Sequence, residues 1–149
     1  MANPRDDLAG SLFSIERALA DDFAAIVDLY GQAQWRAPDS GGEFWVARRA
    51  DDPIAVASVI DSPDGYAFLD AIVVSQSSRR SGVGRRLLTE ILTTRETDWW
   101  LECRHELIPL YASHAFVVEQ DEHVPEWVRQ RVGTRARPTT YLRRRSNAP

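Results

Sequence analysis

Tyr66–Thr94, YAFLDAIVVSQSSRRSGVGRRLLTEILTT, is the stretch whose reading decides the fold. Phe68 to Ser75 is an apolar run ending in Ile72, Val73 and Val74, and it reads as a buried strand. Gln76 to Ser81 is a polar turn. Gly82-Val83-Gly84 then opens a helix whose apolar residues, Val83, Leu87, Leu88, Ile91 and Leu92, fall on one helical face. The order is strand, glycine-bearing loop, helix start.

That order suits an anion. The first N–H groups of a helix have no partner within it, and its dipole is positive at that end. Glycines remove the Cβ atoms that would hold a phosphate away from the backbone. Arg79, Arg80, Arg85 and Arg86 add positive charge nearby, so a diphosphate is the natural guest. A P-loop is excluded, because it needs a Gly-Lys-Ser/Thr step and all 18 basic residues of the chain are arginine. A dinucleotide fingerprint fails as well: GVGRRL carries Leu87 where the third glycine belongs. Taken alone, the loop also fits an ordinary strand-to-helix turn with surface arginines.

Arg79-x-x-Gly82-x-Gly84, after a strand ending at Val74, resembles the acetyl-CoA-binding motif Q/R-x-x-G-x-G/A of the GNAT acetyltransferase superfamily. The resemblance extends from about Ser14 to Arg144. It implies that Ile72, Val73 and Val74 pair with the pantetheine arm. It also implies that Arg79, Arg80, Ser81, Gly82, Val83, Gly84 and Arg85 hold the CoA pyrophosphate, chiefly through backbone amides. The implied fold is α+β: one GNAT-like domain over residues 1–149, with a mixed, mostly antiparallel sheet of six to seven strands and about four helices. Residues 1–12 and 145–149 read as loose tails.

The bulk properties agree with one globular domain. The chain has 149 residues, 44% of them hydrophobic and 27% charged. Its net charge of −4 and pI near 5.4 argue against nucleic acid as the main partner. A single cysteine, Cys103, excludes an intrachain disulfide and fits a reducing cytoplasm. No signal peptide and no membrane-spanning apolar run is visible, so no membrane partner is expected.

Outward from the central stretch, Ser14 to Arg17 reads as a strand. Ala20 to Tyr30 reads as a helix with Phe23, Ile26, Val27 and Tyr30 on one face and Asp21 or Asp22 as its cap or first-turn acid. Trp35 lies in a breaker-rich connection and either lines a pocket or packs. Phe44–Arg49 and Ile54–Asp61 read as strands joined at Ala50-Asp51-Asp52-Pro53, and Ser62-Pro63-Asp64-Gly65 is a second turn. Trp99–Arg104 reads as a strand parallel to the central one, Leu107–Ser113 as a short helix, and Phe116–Glu119 as the start of another strand. Glu126–Val132 is a further helix and Thr140–Arg144 the last strand, running into a basic tail that reads as solvated. WLECRHELIPLYASHAF resembles the GNAT pattern L-E-V-R…Y-x-x-x-G-F, with Ala115 in place of the glycine, which suggests a different end to that helix.

Acetyl transfer needs a neutral amine, hydrogen-bond donors for the thioester oxygen, and a proton for the departing sulfur. By the resemblance, Tyr111 is the candidate acid and the Val74 amide the oxyanion donor. Glu102 is a candidate base, and Asp70, two residues before Ile72, is its rival; water is the third choice. By alternation Glu102 shares a face with Trp100 and Arg104, so a surface Glu102–Arg104 pair is the alternative reading. Cys103 falls on the Leu101 face and reads as core rather than nucleophile, and no metal site is expected. The implied acceptor is a small-molecule amine, an amino acid or a protein N-terminus. A non-catalytic acyl-CoA-binding module and a nucleic-acid binder using Arg79–Arg86 are the other readings. The resemblance allows a homodimer through the terminal strands.

Overall fold

The structure, a computed structural model, describes residues 13–35, 42–132 and 139–146. The N-terminal tail and residues 147–149 of the other tail lie outside the described residues. Among the described residues seven strands form one sheet: β1 (Ser14–Arg17), β2 (Glu43–Arg49), β3 (Asp52–Asp61), β4 (Ala67–Val74), β5 (Trp99–Cys103), β6 (Val117–Val118) and β7 (Thr140–Arg144). Their order is β1-β2-β3-β4-β5-β7-β6. The ladders β1–β2, β5–β7 and β6–β7 are antiparallel, and β4–β5 is parallel, as a crossover through a helix requires. The helices are α1 (Phe23–Gln32), α2 (Val83–Leu92), α3 (Ile108–Ala112) and α4 (Glu126–Val132). The expected α+β architecture is the observed one. Among the described residues no helix is long and apolar enough to cross a membrane.

Two compact units divide the chain: residues 1–58 with 72–92, and residues 59–71 with 93–149. In the first, Ile26, Leu29 and Tyr30 of α1 bury against Val46, Val56 and Val73. Phe23 and Val27, expected on that face, are 60% and 44% exposed, because they lie on the flank of the Ile26–Tyr30 stripe. The helix is preceded by a 3-10 turn, Ala20–Asp22. Asp22 is indeed the acid at its start, but its carboxylate reaches outward. It accepts from Leu19 N–H (2.7 Å) and takes a bidentate pair from Arg48 on β2 (2.6 and 2.8 Å). Arg48 also donates to Glu16 on β1 (2.7 Å), so one guanidinium joins β1, β2 and the helix start. Trp35 packs against this core rather than standing apart from it. The β2–β3 turn is shorter than expected: Ala50 takes φ 51° and Asp52 and Pro53 already belong to β3.

In the second unit, Phe68 and Trp100 bury with Val124 and Val128, and Tyr66, Trp127 and Tyr141 close the cluster. The Ser62–Gly65 turn forms as read, with the Ser62 hydroxyl accepting from Asp64 N–H (3.2 Å) and Tyr66 N–H (3.1 Å). The helix expected over Leu107–Ser113 is a 3-10 turn, His105–Leu107, followed by α3. The basic run at the C-terminus is structural rather than merely solvated. Arg143 is bound to Asp98 (2.5 Å), Arg144 donates to the His114 carbonyl (3.0 Å), and Ser146 N–H donates to Asp98 (2.8 Å). Ser146 is thus tied down, not loose.

Candidate active site

The glycine loop lies in the first unit. After β4, Gln76–Ser78 form a 3-10 turn, Arg79 is extended, and Arg80 and Gly82 take φ 64° and 86°. Gly82 is the residue before α2, and its carbonyl accepts the first intrahelical bond, from Arg86 N–H (3.1 Å). The amides of Val83, Gly84 and Arg85 therefore precede every donor the helix itself satisfies. A Cβ on Gly82 would meet nothing within 4 Å, so the side its side chain would occupy is open. Gly84 has a different job. A Cβ there would lie 3.2 Å from Val74 Cγ2 and 3.8 Å from Ile72 Cγ2, so this glycine lets the helix start press onto the end of β4. Val73 points the other way, into the core.

Of the loop's arginines, Arg79 turns back and its Nε donates to the Val74 carbonyl at 3.4 Å. The Arg86 guanidinium lies over the Phe13 ring, 4.9 Å from its centroid, and so ties the helix to the residue before β1. Ser81 Oγ donates to the Ser78 carbonyl and closes the loop on itself.

The three candidate catalytic side chains lie in the second unit. β4 and β5 pair at Ala67↔Trp99 and Phe68↔Trp100, and among the described residues the ladder ends there. Asp70 on β4 and Glu102 on β5 lie beyond that last pair, and both are near enough to Tyr111 to act on its phenol. Both are half-buried. Tyr141 stands opposite Glu102 on β7.

Tyr111, on α3, is 5% exposed and its ring packs edge-on against Phe116 at 5.9 Å between centroids. Burial first, then Cys103, Asp70 and Glu102, push its phenol well above the ordinary range. It therefore keeps its proton at neutral and mildly alkaline pH, and it lies within the field of both carboxylates. Burial first, and then Glu102 and Glu106, push the Cys103 thiol up to about 11. A thiol that holds its proton at neutral pH is a poor nucleophile, in line with its reading as core. Among the described residues no group of three or more His, Cys, Asp or Glu is placed to hold a metal ion.

Ala115 corrects an expectation. It takes φ 67°, the left-handed conformation for which the family pattern uses glycine. Ala115 N–H bonds the Ala112 carbonyl (3.1 Å) and Phe116 N–H bonds the Tyr111 carbonyl (3.2 Å). These are the two bonds of a Schellman ending, and the Tyr111–Phe116 ring contact is its apolar partner. The helix ends as a glycine would end it.

The sequence named Tyr111, Glu102 and Asp70 separately and set the two acids against each other; the structure has both acids acting on the Tyr111 phenol.

The chain belongs to the family of the acetyltransferase (GNAT) domain, which matches residues 40–118. The sequence matches no curated protein. Its fold is similar to that of the ribosomal-protein-S18-alanine N-acetyltransferase from Escherichia coli, with a TM-score of 0.73, 18% identity, and 92% of this chain and 96% of that one covered. It is similar also to N-acetylglutamate synthase from Neisseria gonorrhoeae in complex with coenzyme A and N-acetyl-glutamate (TM-score 0.76, 18% identity), covering 93% of this chain but only 36% of that one. A GNAT-family acetyltransferase from Staphylococcus aureus Mu50 has a TM-score of 0.69 at 13% identity over 89% and 98% of the two chains.

Proposed function

We propose that this chain is a single-domain cytoplasmic N-acetyltransferase that moves acetyl from acetyl-CoA to a primary amine by direct attack in a ternary complex. The observation that carries the reading is the loop before α2. It has a left-handed Gly82 with open space on its Cβ side, and it leads into the N-terminus of α2, where the first amides have no carbonyl one turn back within the helix. This is a cradle for a diphosphate. Coenzyme A in the similar synthase supports the choice of diphosphate, and the free thiol of Cys103 fits a reducing compartment.

Ile72–Val74 would pair with the pantetheine arm, residues 79–85 would hold the pyrophosphate, and the Val74 amide would face the thioester oxygen. The acceptor ammonium loses a proton to Asp70, Glu102 or water, and the neutral nitrogen attacks the acetyl carbon. A C–N bond forms and the C–S bond breaks, with the electron pair going to sulfur. Tyr111 donates its proton to that sulfur as the bond breaks, and the nitrogen sheds its second proton to solvent. The raised phenol is neutral before the reaction and so carries a proton to give.

Calorimetric titration of acetyl-CoA, with ATP as control, tests the cradle. Acetyl-CoA should bind the parent and not Gly82→Glu, while Gly82→Ala, which carries the backbone strain alone, should keep measurable affinity. Tyr111→Phe tests the acid: turnover should fall roughly 100-fold with acetyl-CoA affinity unchanged. Equal turnover by Tyr111→Phe would sink that assignment, and absence of acetyl-CoA binding by the folded parent would sink the function.

A further inference from the structure

The start of α1 leaves large apolar side chains in water. Leu19, Phe23 and Val27 are 66%, 60% and 44% exposed, although the same helix buries Ile26, Leu29 and Tyr30. Leu19 and Phe23 line a cleft of about 320 Å³ together with Ile26, Phe44, Arg17 and Glu43, all within the first unit. A mostly apolar cleft of that size with few polar groups is what a small-molecule site offers. The backbone beside it is fixed, because Leu19 N–H donates to Asp22 (2.7 Å) and Asp22 is bound to Arg48 on β2 (2.6 Å). The cleft is separate from the cofactor cradle. Phe13, just before β1, meets Arg86 at the start of α2, whereas Arg17 ends β1 at the cleft, roughly 13 Å further along the chain.

The two charged groups of the cleft differ in what they can still do. The Glu43 carboxylate is 23% exposed and accepts from Arg17 (2.9 Å) and from Trp45 Nε1 (2.5 Å). Arg17 is 67% exposed, gives one terminal nitrogen to Glu43, and lies 5.8 Å from the centroid of the Trp45 ring. A guanidinium has five N–H donors, so most of them remain for an incoming acceptor. The accessible charge beside the apolar lining is therefore positive. Phe23 and Phe44 add two rings against which a third can pack edge-on or offset. A second copy of the chain fits this surface less well, because three exposed side chains fall short of the roughly 800 Å² per partner of a stable interface.

We infer that this cleft binds a small aryl carboxylate, with its ring against Phe23 and Phe44 and its carboxylate on Arg17. A cationic head would meet Arg17 first, and a neutral one would leave the guanidinium to water. The site does not depend on the acetyltransferase reading, and its test contains no acetyl-CoA.

Three ligands with one skeleton separate the possibilities: 3-phenylpropanoate, 3-phenylpropan-1-ol and 3-phenylpropan-1-amine, whose heads are negative, neutral and positive. Titrations followed by amide NMR shifts should saturate and should map to Leu19, Phe23 and Phe44. The carboxylate should bind about fivefold tighter than the alcohol, as an exposed charge pair allows, and the amine should bind most weakly. Arg17→Gln should bring the carboxylate down to the level of the alcohol. Phe23→Ser, at an exposed position, should keep the fold by far-UV circular dichroism and weaken all three. Shifts that map elsewhere, equal affinities for the three ligands, or no saturable shift at millimolar ligand overturn the inference. Sedimentation showing a parent dimer that Phe23→Ser abolishes also overturns it, since the apolar surface would then belong to a second copy.

Discussion

Ala115 holds Tyr111 in place through a conformation that alanine resists. At φ 67° a Cβ crowds its own backbone, which costs about 1 kcal/mol relative to glycine. The two Schellman bonds and the Tyr111–Phe116 contact offset that cost. Gln34 closes α1 in the same way at φ 59°, with Gln34 N–H on the Gly31 carbonyl (3.0 Å) and Trp35 N–H on the Tyr30 carbonyl (2.9 Å). Ala115→Gly should therefore stabilise the protein by about 1 kcal/mol, less the extra chain entropy that glycine brings to the unfolded state. Urea unfolding would measure it, and a destabilised variant would mean that the alanine methyl packs more than its conformation costs. The sequence showed that glycine was missing here but not how the helix would end, because the carbonyls of Tyr111 and Ala112 need their partners whatever residue stands at 115.

At the scale of the element, β4, the loop and α2 form one device, and its two glycines are not equivalent. Gly82 provides a backbone conformation, and Gly84 provides contact with Ile72 and Val74. Gly84→Leu should force α2 off the end of β4 and cost about 1 to 3 kcal/mol, as overpacking does. Acetyl-CoA affinity should fall with it, because the amides of residues 83–85 move. Denaturant unfolding and calorimetry on the same variant check both halves, and unchanged stability would show that the contact is slack. This device was legible in the sequence, since periodicity, glycine spacing and the end of an apolar run are all local signals. The surroundings of Tyr111 were not. Asp70 and Glu102, which both act on it, lie on β4 and β5, strands that only the crossover through α2 brings together. Phe23 and Val27 misled for a related reason: periodicity gives a stripe, and only the packing of Ile26 and Tyr30 on Val46 and Val56 fixes its centre.

Over the whole molecule, acid tolerance rests on carboxylates that arginines hold ionised in each unit. In the first, hydrogen bonds from Arg48, helped by Leu19 N–H, outweigh burial and hold Asp22 down to about 2 against 3.8 unfolded. In the second, Arg95 outweighs burial at Asp61; at Asp98, burial is the largest influence and pushes upward, but Ser146 N–H and Arg143 together outweigh it. A carboxylate depressed in the folded state binds protons less readily than in the unfolded one. Its contribution is therefore complete above the unfolded value, near pH 4, and drains away as pH falls through about 2. Asp22→Asn should lose about 2 kcal/mol at neutral pH, because Arg48 is left half-buried without its bidentate partner. The gap between parent and variant should stay constant from pH 7 to about 4 and then narrow toward pH 2, where the parent's own Asp22 takes up its proton. Tryptophan fluorescence through urea titrations at stepped pH would read that narrowing. Parallel curves across the whole range would mean that the Asp22–Arg48 pair orders β1, β2 and the start of α1 without its charge contributing to stability.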